Sequence, residues 1–340
     1  LIDIGVKHHS VVKYNVLTLI TGLIIGFFKG LPLQVSLFYK TKLGDVLLKY
    51  YKPGDIVFTH LVRSVPHACN KLILNGFYCE MTDTISRNYS VLKNHVFFPF
   101  NFLVGLEERR LKNYEKYCVQ KANHTFLVSE KDKIYLGKKS LDHKISVTPL
   151  AIDSTKYEPI DWKRTNKYLL IIANFNSIQN FKGTKHFIDN IFPTLSLKFN
   201  LKLRLVGNIS HKFTKTFSKT DNVHVLGKVS SLSESLSDVI CGVCPIHISA
   251  GMQTKILDYM AFGLPVLSST RSIESIDTMF SKYLYKCDNI LQYSHYLDLI
   301  INQNFISKEE LRNCSKLVKS MYSEKSLKQN LMSVVNTSNN

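Results

Sequence analysis

The chain has 340 residues, more than one domain of ordinary size contains, so we expect two domains. Hydrophobic residues make up 45% and charged residues 21%, proportions that are typical of a globular protein and exclude a disordered chain. The net charge of +18 is spread along the chain and does not form the basic stripe with interleaved aromatic residues that nucleic-acid binding requires.

The first half of the chain is basic. Residues 1–150 hold 21 basic and 11 acidic residues, an excess of +10. Such a surface suits a phosphorylated substrate or an anionic membrane, and the alternative is a general preference for lysine in the composition. We expect no nucleic acid among the partners.

The run Val16–Phe28 (VLTLITGLIIGFF) is apolar and lies between Lys13 and Lys29. It is shorter than the ~20 residues that a helix needs to span a bilayer. Two interpretations stay open: a buried helix, or a helix in the membrane interface with its basic flanks on lipid phosphates.

Seven cysteines at irregular spacing do not indicate a disulfide framework. Cys241 and Cys244 match a C-x-x-C pair, but they lie in an apolar run, so we interpret them as small buried residues. We expect a cytoplasmic protein without a signal peptide, because the chain opens directly on the apolar run 1–6 and no basic region precedes it. The start at Leu1 predicts an incomplete or processed N-terminus.

Strand-like runs alternate with helical patterns, which predicts parallel sheets. The runs are 55–59, 77–82, 124–128, 168–173, 201–206, 223–226, 239–244 and 265–268, and the helical patterns include 103–121 and 186–197. The polar segment 148–162, with its prolines, lacks periodicity and is the candidate linker.

The predicted fold class is α/β, with two Rossmann-like, doubly wound domains over residues 1–150 and 151–323. Their strands would end on a shared cleft, where ligands bind in such folds. Residues 324–340 predict a C-terminal helix that packs back on the N-terminal domain.

The segment 245–269 (PIHISAGMQTKILDYMAFGLPVLSS) is typical of an anion site. A strand-like run leads into a turn with Gly251, and the helical pattern that follows ends at Gly263. The first N–H groups of a helix and its dipole favour an anion. Lys255 and Asp258 are three residues apart and share one face of the helix. The cation suits a diphosphate, and the carboxylate suits a ribose diol.

From about residue 32 to residue 274 the chain resembles the bacterial glycosyltransferases of family 4 (group 1), which have the GT-B fold. It is most similar to the branch that builds surface polysaccharides. The motifs occur in family order: GLPLQVSLFY (30–39), DIVFTHLVR (55–63), EMTDTISRNY (80–89), LEERRLKNYE (106–115), TFLVSEKD (125–132), VTPLAID (147–153), IIANFNSIQNFKG (171–183), RLVGN (204–208), VHVLGKV (223–229) and GMQTKILDYMAFGLPVLSS (251–269). The family's first strand and Gly-rich loop would precede Leu1.

The chain also departs from the family pattern. The family's two glutamates, eight positions apart, are Ala250 and Asp258 here, which leaves the donor sugar open. The usual Gly-Arg is Ala173-Asn174, so one phosphate-binding arginine is absent. The resemblance implies a donor site formed by Asn174, Lys182, Lys228, Gly251, Met252, Gln253, Lys255 and Asp258.

In the first domain the resemblance implies His60 and Asp83 as catalytic residues. Both follow strand-like runs, and sites collect at the carboxyl ends of strands. It further implies Arg63 and Ser86 as acceptor-binding residues. Two alternatives stay open: His60 as a structural histidine and Asp83 as a helix N-cap.

The resemblance implies a retaining transfer of sugar from a nucleoside-diphosphate donor to a saccharide acceptor, lipid-linked, in capsule, O-antigen or exopolysaccharide synthesis. It implies peripheral association with the inner face of the cytoplasmic membrane. The sequence contains no Asp-x-Asp, so we expect no metal and no other cofactor; Lys182, Lys255 and the amides of 251–253 would stabilise the leaving diphosphate. The rival functions are a UDP-sugar 2-epimerase and an inactive homologue that serves as a scaffold.

Overall fold

The computed structural model describes residues 8–69, 76–94, 96–137, 139–247, 251–303 and 305–338. The chain divides into two compact units, the first up to Thr148 and the second Pro149–Asn336.

The first unit is built on a parallel sheet. Its described strands are β1 (Val57–His60), β2 (Phe77–Thr82), β3 (His124–Leu127) and β4 (Ile145–Val147), which lie side by side in chain order. Its described helices are α1 (Val16–Phe28), α2 (Leu33–Ser36), α3 (Thr41–Tyr50), α4 (Val65–Ala68), α5 (Ile85–Lys93), α6 (Phe100–Lys121) and α7 (Glu130–Leu136). Val57, Cys79 and Leu127 from the strands form one buried core with Cys118 of α6.

The second unit has a larger parallel sheet with the strand order β10-β9-β8-β5-β6-β7. Its described strands are β5 (Tyr168–Ile172), β6 (Lys202–Val206), β7 (Val223–Gly227), β8 (Val239–Cys244), β9 (Val266–Ser268) and β10 (Leu284–Lys286). Its described helices are α8 (Ile178–Asn190), α9 (Phe192–Phe199), α10 (His211–Phe217), α11 (Thr254–Ala261), α12 (Thr270–Ile273), α13 (Ile290–Asn302) and α14 (Lys308–Met321), and α15 (Glu324–Ser338) follows.

The predicted α/β class is confirmed, and each predicted strand-like run overlaps a strand. The three-residue strands β4 and β10 were not predicted. The helical pattern predicted over 186–197 is helical in the structure, but it belongs to two helices, α8 and α9, with a break at Ile191. Pro193 lies in the first turn of α9, where a missing N–H costs no hydrogen bond.

The polar segment 148–162 is not a free linker along its whole length. Ile152 and Trp162 are buried, and the Trp162 indole N–H donates to the Ile240 carbonyl over 2.8 Å. The Ile152 amide donates to the Tyr322 carbonyl over 2.7 Å. The segment is therefore fastened to the second unit.

Helix α1 is not buried. The residues of this helix that are buried are Gly22 and Gly26, and they pack against Ser36 of α2. The large apolar side chains Leu17, Ile24 and most of their neighbours on the helix lie at the surface. The buried-helix interpretation is therefore wrong. Within the part of the chain that the structure describes, no helix combines the length and apolarity needed to cross a membrane.

Candidate active site

In the second unit the strand order reverses between β5 and β8. Strand β5 pairs with β6 on one side and with β8 on the other, and all three are parallel. The segments that follow β5 and β8 therefore diverge at the carboxyl end of the sheet. A crevice at such a switch point is where open α/β sheets bind ligands.

The chain segments after β5 and β6 approach each other backbone to backbone. Gly207 has φ +133°, and a Cβ on it would overlap the Ala173 carbonyl. The Ala173 amide donates to the Val206 carbonyl over 3.0 Å, and the Phe175 amide donates to the Asn208 carbonyl over 2.8 Å. This contact places Asn208 beside the residues that follow β5.

A cavity of about 450 Å³ opens at this switch point. Several predicted donor-binding residues line it, namely Asn174, Met252, Gln253, Lys255 and Asp258. Gly251 directly precedes Met252. The structure thus brings the residues after β5 together with the start of α11, where the first backbone N–H groups lack acceptors within the helix.

Asp258 is held by a residue far away in sequence. The Tyr157 hydroxyl donates to its Oδ1 over 2.6 Å. Burial raises the pKa of Asp258, while this hydrogen bond and Lys255 act in the opposite direction. The carboxylate can accept hydrogen bonds from a diol at the cavity wall.

Lys255 connects α11 to the segment after β5. Its Nζ donates to Asn180 Oδ1 over 2.8 Å, and Asn180 Nδ2 donates to the Asn174 carbonyl over 2.9 Å. Burial lowers the pKa of Lys255. The partly buried Lys255 ammonium donates one proton to the amide oxygen of Asn180, so its other two protons can be donated to an anion in the cavity.

Tyr259 fixes the position of α11 on the sheet. Its ring covers Gly242, where a Cβ would overlap the ring. Its hydroxyl accepts from the Ile172 amide over 2.7 Å and donates to the Val243 carbonyl over 3.2 Å. Asp258 and Lys255 are therefore carried by a helix that is bonded to both strands at the switch point.

Two predicted donor residues lie elsewhere. Lys182 and Lys228 are exposed and are not among the residues that line this cavity. Ala250, which stands where the family has its first glutamate, lies outside the described residues. Sequence reasoning missed Tyr157, Asn180 and Asn208. Asn180 and Asn208 lie inside motifs that carry the family resemblance. Tyr157 lies in the aperiodic segment 148–162, where no sequence pattern indicates a functional residue.

In the first unit His60 ends β1 and contacts Glu80 of β2 through Nδ1 and Oε2. The Thr82 hydroxyl donates to the other oxygen of Glu80 over 2.7 Å. Leu61 and Thr82 have φ values of 65° and 62°, which bulky and β-branched residues rarely adopt. Such backbone strain clusters at functional sites. The exposed imidazole of His60 is thus oriented by a carboxylate.

Asp83 follows β2 directly. Asn88 Nδ2 donates to its Oδ2 over 2.8 Å, and burial raises its pKa. The N-cap of α5 is Thr84, so the N-cap alternative for Asp83 is wrong.

Arg63 belongs to a polar cluster with the segment 30–39. Its Nη2 donates to Gln34 Oε1 over 2.8 Å, and its guanidinium stacks over the Phe38 ring at 4.6 Å. The side-chain Nε2 of Gln34 donates to the Tyr89 hydroxyl over 2.9 Å, and its backbone N–H donates to Glu107 Oε1 over 3.3 Å.

Ser86 is fully buried, and Glu115 of α6 engages it twice. The Ser86 amide donates to Glu115 Oε1 over 3.1 Å, and its hydroxyl donates to Oε2. Burial raises the pKa of Glu115 to about 7, although the hydrogen bonds from Ser86 oppose the shift. In the described structure the Ser86 hydroxyl is therefore committed to holding α5 against α6.

The ionisation of Glu115 should contribute a loss of stability as the pH rises from about 4.5 to about 7. In this window the unfolded chain loses the Glu115 proton while the folded chain keeps it, so rising pH favours unfolding; above it both states are ionised. Glu115→Gln should remove on the order of 2–3 kcal/mol of this pH dependence. Urea unfolding of both proteins across the window measures it, and parallel curves would contradict it.

Comparisons with known proteins concern the family pattern and the fold. Residues 166–292 match the family described as glycosyl transferases group 1. A search of curated proteins finds no match. Sucrose-phosphate synthase from Thermosynechococcus elongatus superposes with a TM-score of 0.64 at 13% identity, covering 92% of this chain and 78% of that one.

Two further solved structures have the same fold. HepE from Anabaena in complex with UDP-glucose has a TM-score of 0.62 at 13% identity, with 89% of this chain and 82% of that chain covered. TarM from S. aureus, in a complex that includes UDP, has a TM-score of 0.61 at 16% identity and 89% coverage of this chain. The chain spans 58% of the length of TarM. Over residues 166–292 the chain thus carries the sequence pattern of the group 1 glycosyl transferases, and its fold is the GT-B fold of these structures.

Proposed function

We propose that the protein is a glycosyltransferase that moves a sugar from a nucleoside-diphosphate donor to a saccharide acceptor. The observation that carries this proposal is the cavity at the switch point of the second unit. It joins a partly buried cation, a carboxylate and a helix N-terminus, and all three lie within residues 166–292, which match the family.

In the proposed donor complex Asp258 accepts hydrogen bonds from the ribose hydroxyls. Lys255 and the amides at the start of α11 take up the negative charge that develops on the leaving diphosphate. Fixed charges of this kind, in a site that excludes water, lower a barrier by several kcal/mol without a metal ion. HepE and TarM were solved with UDP, which makes a uridine nucleotide the first donor to test.

In the first unit we propose that His60 and Asp83 act on the reacting sugar and that Arg63 contacts the acceptor. Burial raises the pKa of Asp83, which suits a carboxyl group that accepts and returns a proton. We propose a retaining reaction and a lipid-linked acceptor in surface-polysaccharide synthesis. A lipopolysaccharide outer core galactosyltransferase is among the structures with this fold, at a TM-score of 0.54.

We further propose that the protein works in the cytoplasm at the inner face of the membrane, with α1 in the lipid interface. The support is the exposure of the apolar side chains of α1 and the basic excess of the first half of the chain. A second candidate function is a binding scaffold without activity. The scaffold is favoured by Asn174, which stands where the family has a phosphate-binding arginine, so that one cation for the diphosphate is absent.

A calorimetric screen of UDP, GDP, ADP and CMP tests the donor site. We expect one nucleoside diphosphate to bind at least ten times more tightly than CMP. Equal, weak binding of all four would contradict the donor site. Diphosphate binding without transfer to any saccharide acceptor would favour the scaffold.

We expect sugar transfer to continue in excess EDTA, because fixed cations would replace a metal ion at the diphosphate. The measurement is the initial rate with and without the chelator. A rate that EDTA abolishes and Mg²⁺ or Mn²⁺ restores would contradict metal independence and leave the donor site itself intact.

A further inference from the structure

The start of α6 and the residues before it expose an unusual amount of apolar surface. The stretch 96–106 (VFFPFNFLVGL) contains no charged residue. Its exposed side chains are Phe97, Phe98, Phe100, Phe102, Leu103 and Leu106, with exposed fractions between 42% and 78%. Proteins rarely leave a contiguous patch of this kind in water without a partner. We refer to residues 97–106 as the phenylalanine segment.

The C-terminal end of the phenylalanine segment lies one helical turn from a contact with the residues that follow α1. Leu103, Leu106 and Arg110 recur at spacings of three and four residues, so they share one face of α6. Arg110 Nη2 donates to the carbonyl of Leu31, just beyond α1, over 2.7 Å. Leu106 is one helical turn from Arg110, or about 6 Å along the axis. At the end of α1 itself, Phe28 is 83% exposed.

Cations flank both apolar elements. Lys13 and Lys29 lie at the two ends of α1, and Lys93 and Arg109 lie before and after the phenylalanine segment. All four are exposed. An apolar centre with basic flanks matches an anionic bilayer, where apolar side chains enter the acyl boundary and cations meet the phosphates.

We propose that the phenylalanine segment and α1 together form one face that docks on an anionic lipid bilayer. A second copy of this chain is a poorer occupant, because its own cations would meet those of the first copy in a basic half with an excess of +10. The inference deepens the proposed function, since a lipid-linked acceptor requires the enzyme at the membrane. Vesicle binding is measured without nucleotide or acceptor, so the two proposals can fail separately.

The first test is co-sedimentation with vesicles of phosphatidylcholine that contain increasing phosphatidylglycerol. We expect binding to rise with phosphatidylglycerol and to fall with added salt. The double substitution Phe97→Ser and Phe98→Ser should lower the partition coefficient at least tenfold, because it removes two exposed aromatic side chains from the face. Leu197→Ser is the matched control, since Leu197 is 88% exposed in the second unit. It should bind like the wild type.

A fluorescence experiment locates the contact directly. The sequence has a single tryptophan, Trp162, which is buried in the second unit. In a Phe98→Trp variant we expect vesicles of brominated phosphatidylglycerol to quench the added emission, and in Leu197→Trp they should not. Absence of quenching at position 98, or equal vesicle binding by wild type and the serine variant, would overturn the proposal. So would a lipid-free dimer that the serine substitutions abolish, because the face would then belong to a second copy.

Discussion

Asp258→Asn is expected to weaken the binding of UDP or GDP by about 1–3 kcal/mol, the usual cost of losing a charge-assisted hydrogen bond. The substitution keeps the shape of the side chain and an oxygen for the Tyr157 hydroxyl, so α11 should stay in place. Asp189→Asn is the matched control. Asp189 lies on the surface of the same unit in an i,i+4 pair with Lys185, and its loss should change affinity little.

A substitution of Lys255 should distinguish the contribution of the diphosphate to affinity from that of the nucleoside. Lys255→Met removes the cation and keeps the apolar stem, so the affinity for UDP should fall by a similar amount while the affinity for uridine stays nearly constant. Asp258→Asn should weaken both ligands, because the proposed contact is with the ribose. Calorimetry with UDP and uridine on the two variants measures this difference. If Asp258→Asn and Lys255→Met both bind UDP like the wild type, the assignment of the cavity is wrong.

The protonation of Asp258 adds a pH signature. Burial raises the pKa of this carboxyl above its ordinary value of 3.8, and the ionised form is the stronger acceptor of hydrogen bonds from a diol. Donor binding should therefore weaken as the pH falls through this raised pKa, at a higher pH than an exposed aspartate would require. The same titration of Asp258→Asn should lack this step.

Much of the second unit could be predicted from local patterns. Apolar runs located the longer strands, and Gly263, with its positive φ, ends α11 where the glycine predicted a stop. A helix start after a glycine turn is a local pattern too, so Lys255 and Asp258 could be assigned to one site. The contact between Tyr157 and Asp258 could not, because it joins residues 101 positions apart. No periodicity reports which distant side chain will complete a site.

In the first unit, local sequence patterns do not predict which apolar runs are exposed. An apolar run predicts burial, and Val16–Phe28 and the stretch 96–106 both match that pattern. Whether another element covers such a run depends on the tertiary fold, and within the described structure these two are largely uncovered. The contact between His60 and Glu80 could not be predicted from local sequence either, because Glu80 lies on the neighbouring strand and only the parallel register brings the two together.

Gly207→Ala is expected to destabilise the second unit by about 2–4 kcal/mol, because two costs add. A φ of +133° is strained for any residue with a Cβ, and the new methyl group would overlap the Ala173 carbonyl, which the backbone can relieve only by moving the segments after β5 and β6 apart. That movement would also displace Asn174 and Asn208 at the cavity, so donor affinity should fall along with stability.

Gly227→Ala distinguishes the cost of backbone strain from the cost of steric overlap. Gly227 also has a positive φ, of 71°, but the nearest atom to an added Cβ lies 4.0 Å away, so only backbone strain of about 1 kcal/mol is expected. Urea unfolding followed by the fluorescence of Trp162, which is buried in the same unit, compares the two variants directly. Equal losses of stability would contradict the close backbone approach that shapes the donor cavity. A larger loss for Gly207→Ala, together with weaker nucleotide binding, would support the view that this glycine allows the segments after β5 and β6 to approach closely enough to form the cavity.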